Sequence, residues 1–203
     1  SAIASRMGDR MRKKLPIGIQ TFAEIRQEGH YYVDKTPHIL RLLDEGKYYF
    51  LSRPRRFGKS LLIDTIAELF EGNQALFEGL YAEPRWDWSQ QFAVIRISFG
   101  KGVLHSRAEL DEKIRELLAA ESRRHGLGYG SASISGEFTE LIRSLHEHSG
   151  QRVVVLVDEY DKPILDNITE PEIAREMRDG LRNLYSVIKD EDAHIRFALL
   201  TGV

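Results

Sequence analysis

The feature that most constrains the fold is a short apolar segment that runs through a basic loop into an apolar helix. The apolar run predicts a strand over about Lys47–Ser52, and apolar residues after the loop predict a helix that continues to near Phe70. The loop ends in Gly58-Lys59-Ser60. A Gly-Lys-Ser triplet between a strand and a helix matches the second half of the phosphate-binding pattern G-x-x-x-x-G-K-[ST]. The sequence therefore predicts an α/β domain with an anion site at this junction.

Each residue of the triplet has a physical role in such a site. Gly58 has no Cβ, so the backbone approaches the phosphate oxygens closely. Lys59 is expected to reach the outer phosphates and the Ser60 hydroxyl to bind Mg²⁺. The N–H groups and dipole of the helix N-terminus favour the same anion. The other predicted nucleotide contacts are the neighbours of the triplet, namely Arg53, Pro54, Arg55, Arg56, Phe57 and Leu61.

The phosphate-loop pattern is incomplete, because the position of its first glycine holds Arg53. The alternative interpretation is an ordinary strand–helix turn that carries a surface lysine. The strand–loop–helix context favours the phosphate loop.

A second motif lies further along the chain. The β-branched run Val153–Val157 is typical of a central strand in a parallel sheet, and it ends in Asp158 and Glu159. Acids at the carboxyl end of such a strand lie where open α/β sheets bind ligands. We expect Asp158 to support Mg²⁺, together with Ser60, and Glu159 to act as the general base for water.

Five blocks of the sequence carry a resemblance to a known family, namely residues 15–19, 32–36, 49–60, 157–163 and 201–203. Taken in this order, they resemble a prokaryotic AAA-ATPase-like family. The resemblance implies a P-loop ATPase core, an α/β three-layer sandwich of the AAA/ASCE type with a mostly parallel sheet. In this resemblance Arg53 is a family trait, and Thr201 is similar to a sensor hydroxyl that contacts the γ-phosphate or the lytic water.

The resemblance also implies how the domain is organised. The resembling blocks begin at residue 15, so residues 15–203 are expected to be the ATPase domain. Residues 1–14 have no helical or strand periodicity and, on that ground, are expected to be a flexible terminus or a remnant of expression. Many members carry a further PD-(D/E)XK nuclease-like domain after the ATPase core, which this sequence does not include. The strand order expected for the family is 5-1-4-3-2, without its fifth strand here. The strand at Tyr48–Leu51 is therefore expected at an open edge, which either pairs with another chain or is covered by the N-terminal segment before it.

Composition narrows the class of protein. The 203 residues include 42% hydrophobic residues, enough for one core, and the net charge of −2 makes no case for general nucleic-acid binding, which usually shows a basic face. The chain has no cysteine, which excludes disulfides and thiolate zinc sites. No apolar run has the length of a membrane span and no signal peptide is visible, so we expect a cytoplasmic protein.

The remaining elements alternate between strands and helices, which favours a mostly parallel sheet. Strands are predicted over Phe92–Phe99 and Ile195–Leu200. Helix starts are predicted from capping residues at Thr36, Ser106 and Thr169.

Two short motifs suggest other chemistry and are rejected. His146 and His148 lie two residues apart on a predicted helix, so their rings point in different directions and cannot share a metal as an i, i+4 pair does. We interpret them as a solvated helix end. Asp34 with Glu45 and Lys47 imitates a nuclease pattern, but the intervening glycine is better explained as a helix cap.

Some roles stay open in the sequence. Arg53, Arg55 and Arg56 either add charge to the γ-phosphate or form a solvated basic loop. Asp161 and Lys162 form a surface ion pair, or one of them joins a metal or water shell. Aromatic residues just upstream of the loop either stack on a nucleotide base or pack the sheet edge.

The sequence thus predicts an ATP-binding domain that hydrolyses ATP with Mg²⁺. The alternative is a nucleotide sensor without turnover that gates a partner or a nuclease-like domain. A nucleic-acid processing module is a third class, favoured only by the family's usual neighbour. The choice between ATP and GTP and the formation of a homo-oligomer are left open.

Overall fold

The computed structural model describes residues 13, 21–52, 58–128, 130 and 133–202, apart from the side chain of Lys59. The elements, in chain order, are α1 Phe22–Gln27, α2 Thr36–Glu45, β1 Tyr48–Ser52, α3 Lys59–Glu71, a 3₁₀ turn Gln74–Phe77, β2 Val94–Ser98, α4 Arg107–Arg124, α5 Ile134–Ser149, β3 Val153–Asp158, α6 Lys162–Leu165, α7 Pro171–Asp190, a second 3₁₀ turn Asp192–His194 and β4 Ile195–Gly202.

The sheet has four parallel strands in the order β1-β4-β3-β2. This order confirms the predicted α/β fold and agrees with the four strands named 1-4-3-2 in the expected arrangement. It places the strand before the phosphate loop at one edge, as predicted. β2 is shorter than the predicted Phe92–Phe99, whereas β4 continues two residues beyond the predicted Leu200.

Helices cover both faces of the sheet, because successive residues of a strand point to opposite sides. On β3, Val153, Val155 and Val157 pack against α4, α5 and α7, and Val154 and Leu156 pack on the side of α1, α2 and α3. All five side chains are fully buried. A continuous β-branched run is what a strand covered on both faces requires.

The helix starts follow the capping predictions only in part. Ser106 caps α4 as predicted, since its hydroxyl accepts the N–H of Glu109. The prediction for Thr36 is wrong: Lys35 is the N-cap residue, and the Thr36 hydroxyl instead donates to the carboxylate of Asp34. The prediction at Thr169 is also wrong, because α7 begins at Pro171 after Glu170, without a side-chain cap.

The two edges of the sheet differ. At β2, the Arg96 N–H donates to the Glu121 carboxylate at 3.2 Å, and Arg124 donates to the Val94 carbonyl at 2.5 Å. Side chains of α4 thus satisfy an N–H and a carbonyl of β2 that would otherwise be open to hydrogen bonds with another strand. At β1, no described side chain bonds to the outer backbone groups, and Phe50 is 55% exposed. Association of another chain at β1 stays a prediction.

Asp34 joins the segment between α1 and α2 to Tyr81, which follows the first 3₁₀ turn. Its carboxylate accepts the N–H and hydroxyl of Thr36 and the N–H of Tyr81, at 2.7 to 2.9 Å. Partial burial raises the pKa of Asp34, but these hydrogen bonds and the charge of Arg26 together lower it below its usual value. The motif around Asp34 therefore has a structural role.

This lowered pKa predicts a pH dependence of stability. A carboxyl group with a depressed folded pKa stabilises the fold above its unfolded pKa, about 3.9, and loses that contribution as pH falls through the folded pKa. We expect Asp34→Asn to lower the free energy of unfolding at pH 7, and the difference from wild type to shrink below about pH 4. Urea unfolding at both pH values measures this, with the exposed Asp179→Asn as control. A pH-independent difference would contradict the assignment.

Candidate functional site: the carboxyl ends of β1, β3 and β4

The N-terminus of α3 forms one wall of the site. Gly58 precedes the helix in the left-handed conformation, with φ 65°, and a Cβ at this position would meet no heavy atom within 4 Å. Only glycine adopts such a φ at little cost. Among the described residues no side chain caps the helix, and its first turn holds no acid, which favours binding of an anion by its N–H groups. The predicted contacts at residues 53–57 and the Lys59 side chain lie outside the described residues, and Leu61 lies in the first turn of α3.

A chain of hydrogen bonds joins three of the predicted site residues. The Ser60 hydroxyl donates to Asp158 Oδ2 at 2.8 Å, and the Thr201 hydroxyl donates to Asp158 Oδ1 at 2.7 Å. The Asp158 carboxylate thus lies between the first turn of α3 and the end of β4. Residues from three distant parts of the chain meet here because the carboxyl ends of parallel strands share one edge.

Glu159 follows directly in an unusual backbone conformation. Its φ is 50°, and it is the one described non-glycine residue with a positive φ. Its N–H donates to the Thr201 hydroxyl at 3.1 Å, and the N–H of Tyr160 donates to the Thr201 carbonyl at 2.8 Å. The half-buried Glu159 side chain lies toward the end of β2, where its Oε2 would be 3.0 Å from a Cβ on Gly100.

Tyr160 anchors this turn to α7. Its hydroxyl donates to the Leu181 carbonyl at 2.7 Å. Burial raises the pKa of Tyr160 to about 12, with a further increase from Tyr185 and an opposing effect of Arg182. The phenol is therefore neutral at physiological pH, and its role here is structural.

The structure assigns Lys162 a structural role, whereas the role of Asp161 stays open. Lys162 Nζ donates to the Gly102 carbonyl at 2.6 Å and to Asp166 at 2.5 Å, which joins the loop after β2 to α6. A Cβ on Gly202 would lie 2.8 Å from Asp161 Oδ2, so Asp161 lies at the end of β4 beside the site.

The oxygen donors of the site are suitable for magnesium. Mg²⁺ is commonly held by one or two carboxylates, a hydroxyl, water and substrate phosphates. Ser60 and Asp158 supply a hydroxyl and a carboxylate within hydrogen-bond distance of each other. Among the described residues there is no cluster of three or more acidic, histidine or cysteine side chains arranged for a metal. A metal at this site would therefore be completed by ligands such as phosphate oxygens.

An aromatic cavity lies beside β1. Its volume is about 270 Å³, and it is lined by Tyr48, Tyr49, Phe50, Tyr160, Tyr185 and Leu200. Aromatic residues upstream of the loop thus line a cavity as well as packing the sheet edge. Stacking of a nucleotide base on them stays a prediction.

The two rejected motifs have structural partners. Asp34 bonds to Thr36 and Tyr81, and Lys47 bonds to Asp192, so each of these two residues has structural partners. His146 is less solvated than predicted, because its Nδ1 hydrogen-bonds Nδ1 of His194 at 2.7 Å.

Three neighbours of the site were missed in the sequence. Ser98 and Gly100 lie at and just beyond the end of β2, beside Glu159, and a glycine two residues after a strand end is a weak signal for such closeness. Asp64 on α3 is buried and accepts the Phe22 N–H at 2.5 Å and Arg96 Nη1 at 2.8 Å. It fixes the helix behind the phosphate loop to α1 and β2.

No described helix is long and apolar enough to cross a membrane.

The parallel sheet, the glycine-initiated helix and the hydrogen-bonded serine and aspartate define a domain of the P-loop NTPase-like class. The chain belongs to the predicted AAA-ATPase family, whose family model matches residues 16–203. It is 62% identical over 193 residues to a protein named "Uncharacterized protein in vnfD 5'region" from Azotobacter chroococcum mcd 1. The match covers 95% of this chain and 37% of that relative. No solved structure matches the chain.

Proposed function

We propose that this domain binds ATP with Mg²⁺ and hydrolyses it. The observation that carries the proposal is the hydrogen-bonded set Ser60–Asp158–Thr201 beside the N-terminus of α3, which no described side chain caps. Family membership supports nucleotide binding in general. The choice of ATP over GTP, and of hydrolysis over sensing, belongs to the proposal.

In this proposal, different residues bind the phosphates, hold the metal and accept the proton. The first-turn N–H groups of α3 and the Lys59 ammonium bind the phosphates. Ser60 and Asp158 would hold Mg²⁺, and the bound ion would neutralise charge on the phosphates. Glu159 accepts the proton of the attacking water, and its position just after the metal-binding acid suits that role. Arg53, Arg55 and Arg56 add positive charge near the phosphates in this proposal.

Binding through the loop is tested with Lys59→Ala. We expect this change to weaken Mg-ATP binding at least tenfold, about 1.4 kcal/mol, because it removes a charge from the phosphates. Isothermal titration calorimetry measures the affinity, and Lys113→Ala on α4 is the matched control. Equal affinity of a folded Lys59→Ala variant and wild type would contradict the assignment of the loop.

The alternative function is a nucleotide sensor without turnover, with the same binding residues. A partner, a nuclease-like domain or nucleic acid reached through it, and a homo-oligomer all remain proposals for the whole protein, because the chain spans 37% of its matched relative. Phosphate release from Mg-ATP by the purified domain separates the two functions. Release at the rate of the enzyme-free control, with tight binding retained, would favour the sensor.

A further inference from the structure

Glu159 lies in a backbone conformation that is uncommon for a residue with a side chain. A left-handed conformation is disfavoured for a residue with a side chain, because Cβ approaches the carbonyl oxygen. Glu159, which is the general base in the proposed function, adopts this conformation with φ 50°. Such strain persists only where surrounding contacts fix it, and it is found frequently at functional sites.

Thr201 fixes the backbone of this turn. Its side chain is fully buried, and its hydroxyl donates to Asp158 while it accepts the Glu159 N–H. The Thr201 carbonyl accepts the N–H of Tyr160. The hydroxyl proton and one lone pair are thus committed to neighbouring protein groups, which makes Thr201 a link between the two acids.

Gly100 leaves the space that the Glu159 carboxylate needs. A Cβ on Gly100 would lie 3.0 Å from Glu159 Oε2, 3.6 Å from Cδ and 3.3 Å from the Ser98 hydroxyl. The Ser98 hydroxyl in turn accepts the Gly100 N–H at 3.2 Å. The φ of Gly100 lies outside the left-handed region, so an alanine is compatible with the backbone and conflicts only with these side chains.

We propose that Thr201 and Gly100 are positioning residues that aim the Glu159 carboxylate, Thr201 by holding its backbone and Gly100 by leaving room for its side chain. The proposal rests on the proposed role of Glu159 in hydrolysis. It assigns Thr201 an action through Glu159 and Asp158, which differs from direct contact with the γ-phosphate.

The first test is Gly100→Ala, with Gly128→Ala as matched control. Gly128 is also exposed, its φ is also outside the left-handed region, and a Cβ there would meet nothing within 4 Å. We expect Gly100→Ala to lower kcat for Mg-ATP about tenfold with Kd unchanged, because only the base is displaced. Gly128→Ala should leave both constants unchanged.

The second test separates the hydroxyl of Thr201 from its shape. Thr201→Val removes the hydroxyl at nearly constant volume, whereas Thr201→Ser keeps it. Kinetics and nucleotide affinity are measured for both variants, and thermal unfolding checks that they fold. We expect Ser to restore most of the kcat lost in Val, with little change in Kd for either variant. A loss of nucleotide affinity in folded Thr201→Val, without a loss of kcat, would indicate phosphate contact and overturn the proposal for Thr201.

A readout without nucleotide separates this proposal from the proposed function. Crystal structures of nucleotide-free wild type, Gly100→Ala and Gly128→Ala show where the Glu159 carboxylate lies. We expect it to move only in Gly100→Ala. An unmoved carboxylate, or a moved carboxylate with unchanged kcat, would overturn the role of Gly100. If wild type shows no turnover, the proposed hydrolysis fails, and the crystallographic comparison alone decides whether Gly100 positions Glu159.

Discussion

Glu159→Gln is expected to slow hydrolysis of Mg-ATP at least a hundredfold, about 2.7 kcal/mol in activation free energy, while the affinity for Mg-ATP stays close to that of wild type. Glutamine keeps the shape of glutamate and its hydrogen-bonding oxygen but accepts no proton from water. The backbone N–H of residue 159 still donates to Thr201, so the substitution leaves the turn intact. The effect is therefore on the chemical step alone.

Single-turnover kinetics and calorimetry measure the two quantities separately. Glu147→Gln, on the exposed surface of α5, is the matched control and should hydrolyse like wild type. Turnover of Glu159→Gln at the wild-type rate would show that another group accepts the proton. A large loss of affinity in a folded variant would instead place the Glu159 carboxylate in binding.

The class of fold could be predicted because its determinants are local. The β-branched run before Asp158 and the apolar run before the loop give two strands of the sheet, and the helical spacing of apolar residues gives the helices. The strand order came from the family resemblance, since pairing depends on contacts between distant segments. The helix starts show the limit of local patterns. Ser106 caps its helix, but Thr36 does not, because Asp34 binds its hydroxyl.

The sequence predicts which main residues lie near one another in the site, but not how all of them are hydrogen-bonded. Ser60 and Asp158 are 98 residues apart, yet both follow strand ends, so a parallel sheet brings them together. The partners of Thr201 could not be predicted, because its bond to Asp158 depends on the register between β3 and β4. The space beside Gly100 depends equally on tertiary packing. No local pattern encodes which side chain lies against a glycine.

The second large effect is expected at Asp158, whose carboxylate accepts two hydroxyl groups at once. Ser60 donates to one oxygen and Thr201 to the other. In Asp158→Asn one of these acceptors becomes an NH₂ donor, so one hydroxyl must find another acceptor. The substitution also removes the negative charge that would face the metal. The substitution should therefore weaken magnesium binding more than it weakens phosphate binding at the N-terminus of α3.

We expect Asp158→Asn to weaken ATP binding in the presence of Mg²⁺ at least tenfold, about 1.4 kcal/mol, and to change binding in EDTA little. Calorimetry under both conditions gives the ratio of the two affinities, which isolates the contribution of the metal from that of the phosphate loop. Asp190→Asn, an exposed acid at the end of α7, is the matched control, and unfolding curves verify that both variants fold. An equal gain from Mg²⁺ in Asp158→Asn and wild type would show that Asp158 holds Ser60 and Thr201 in place without supporting the metal.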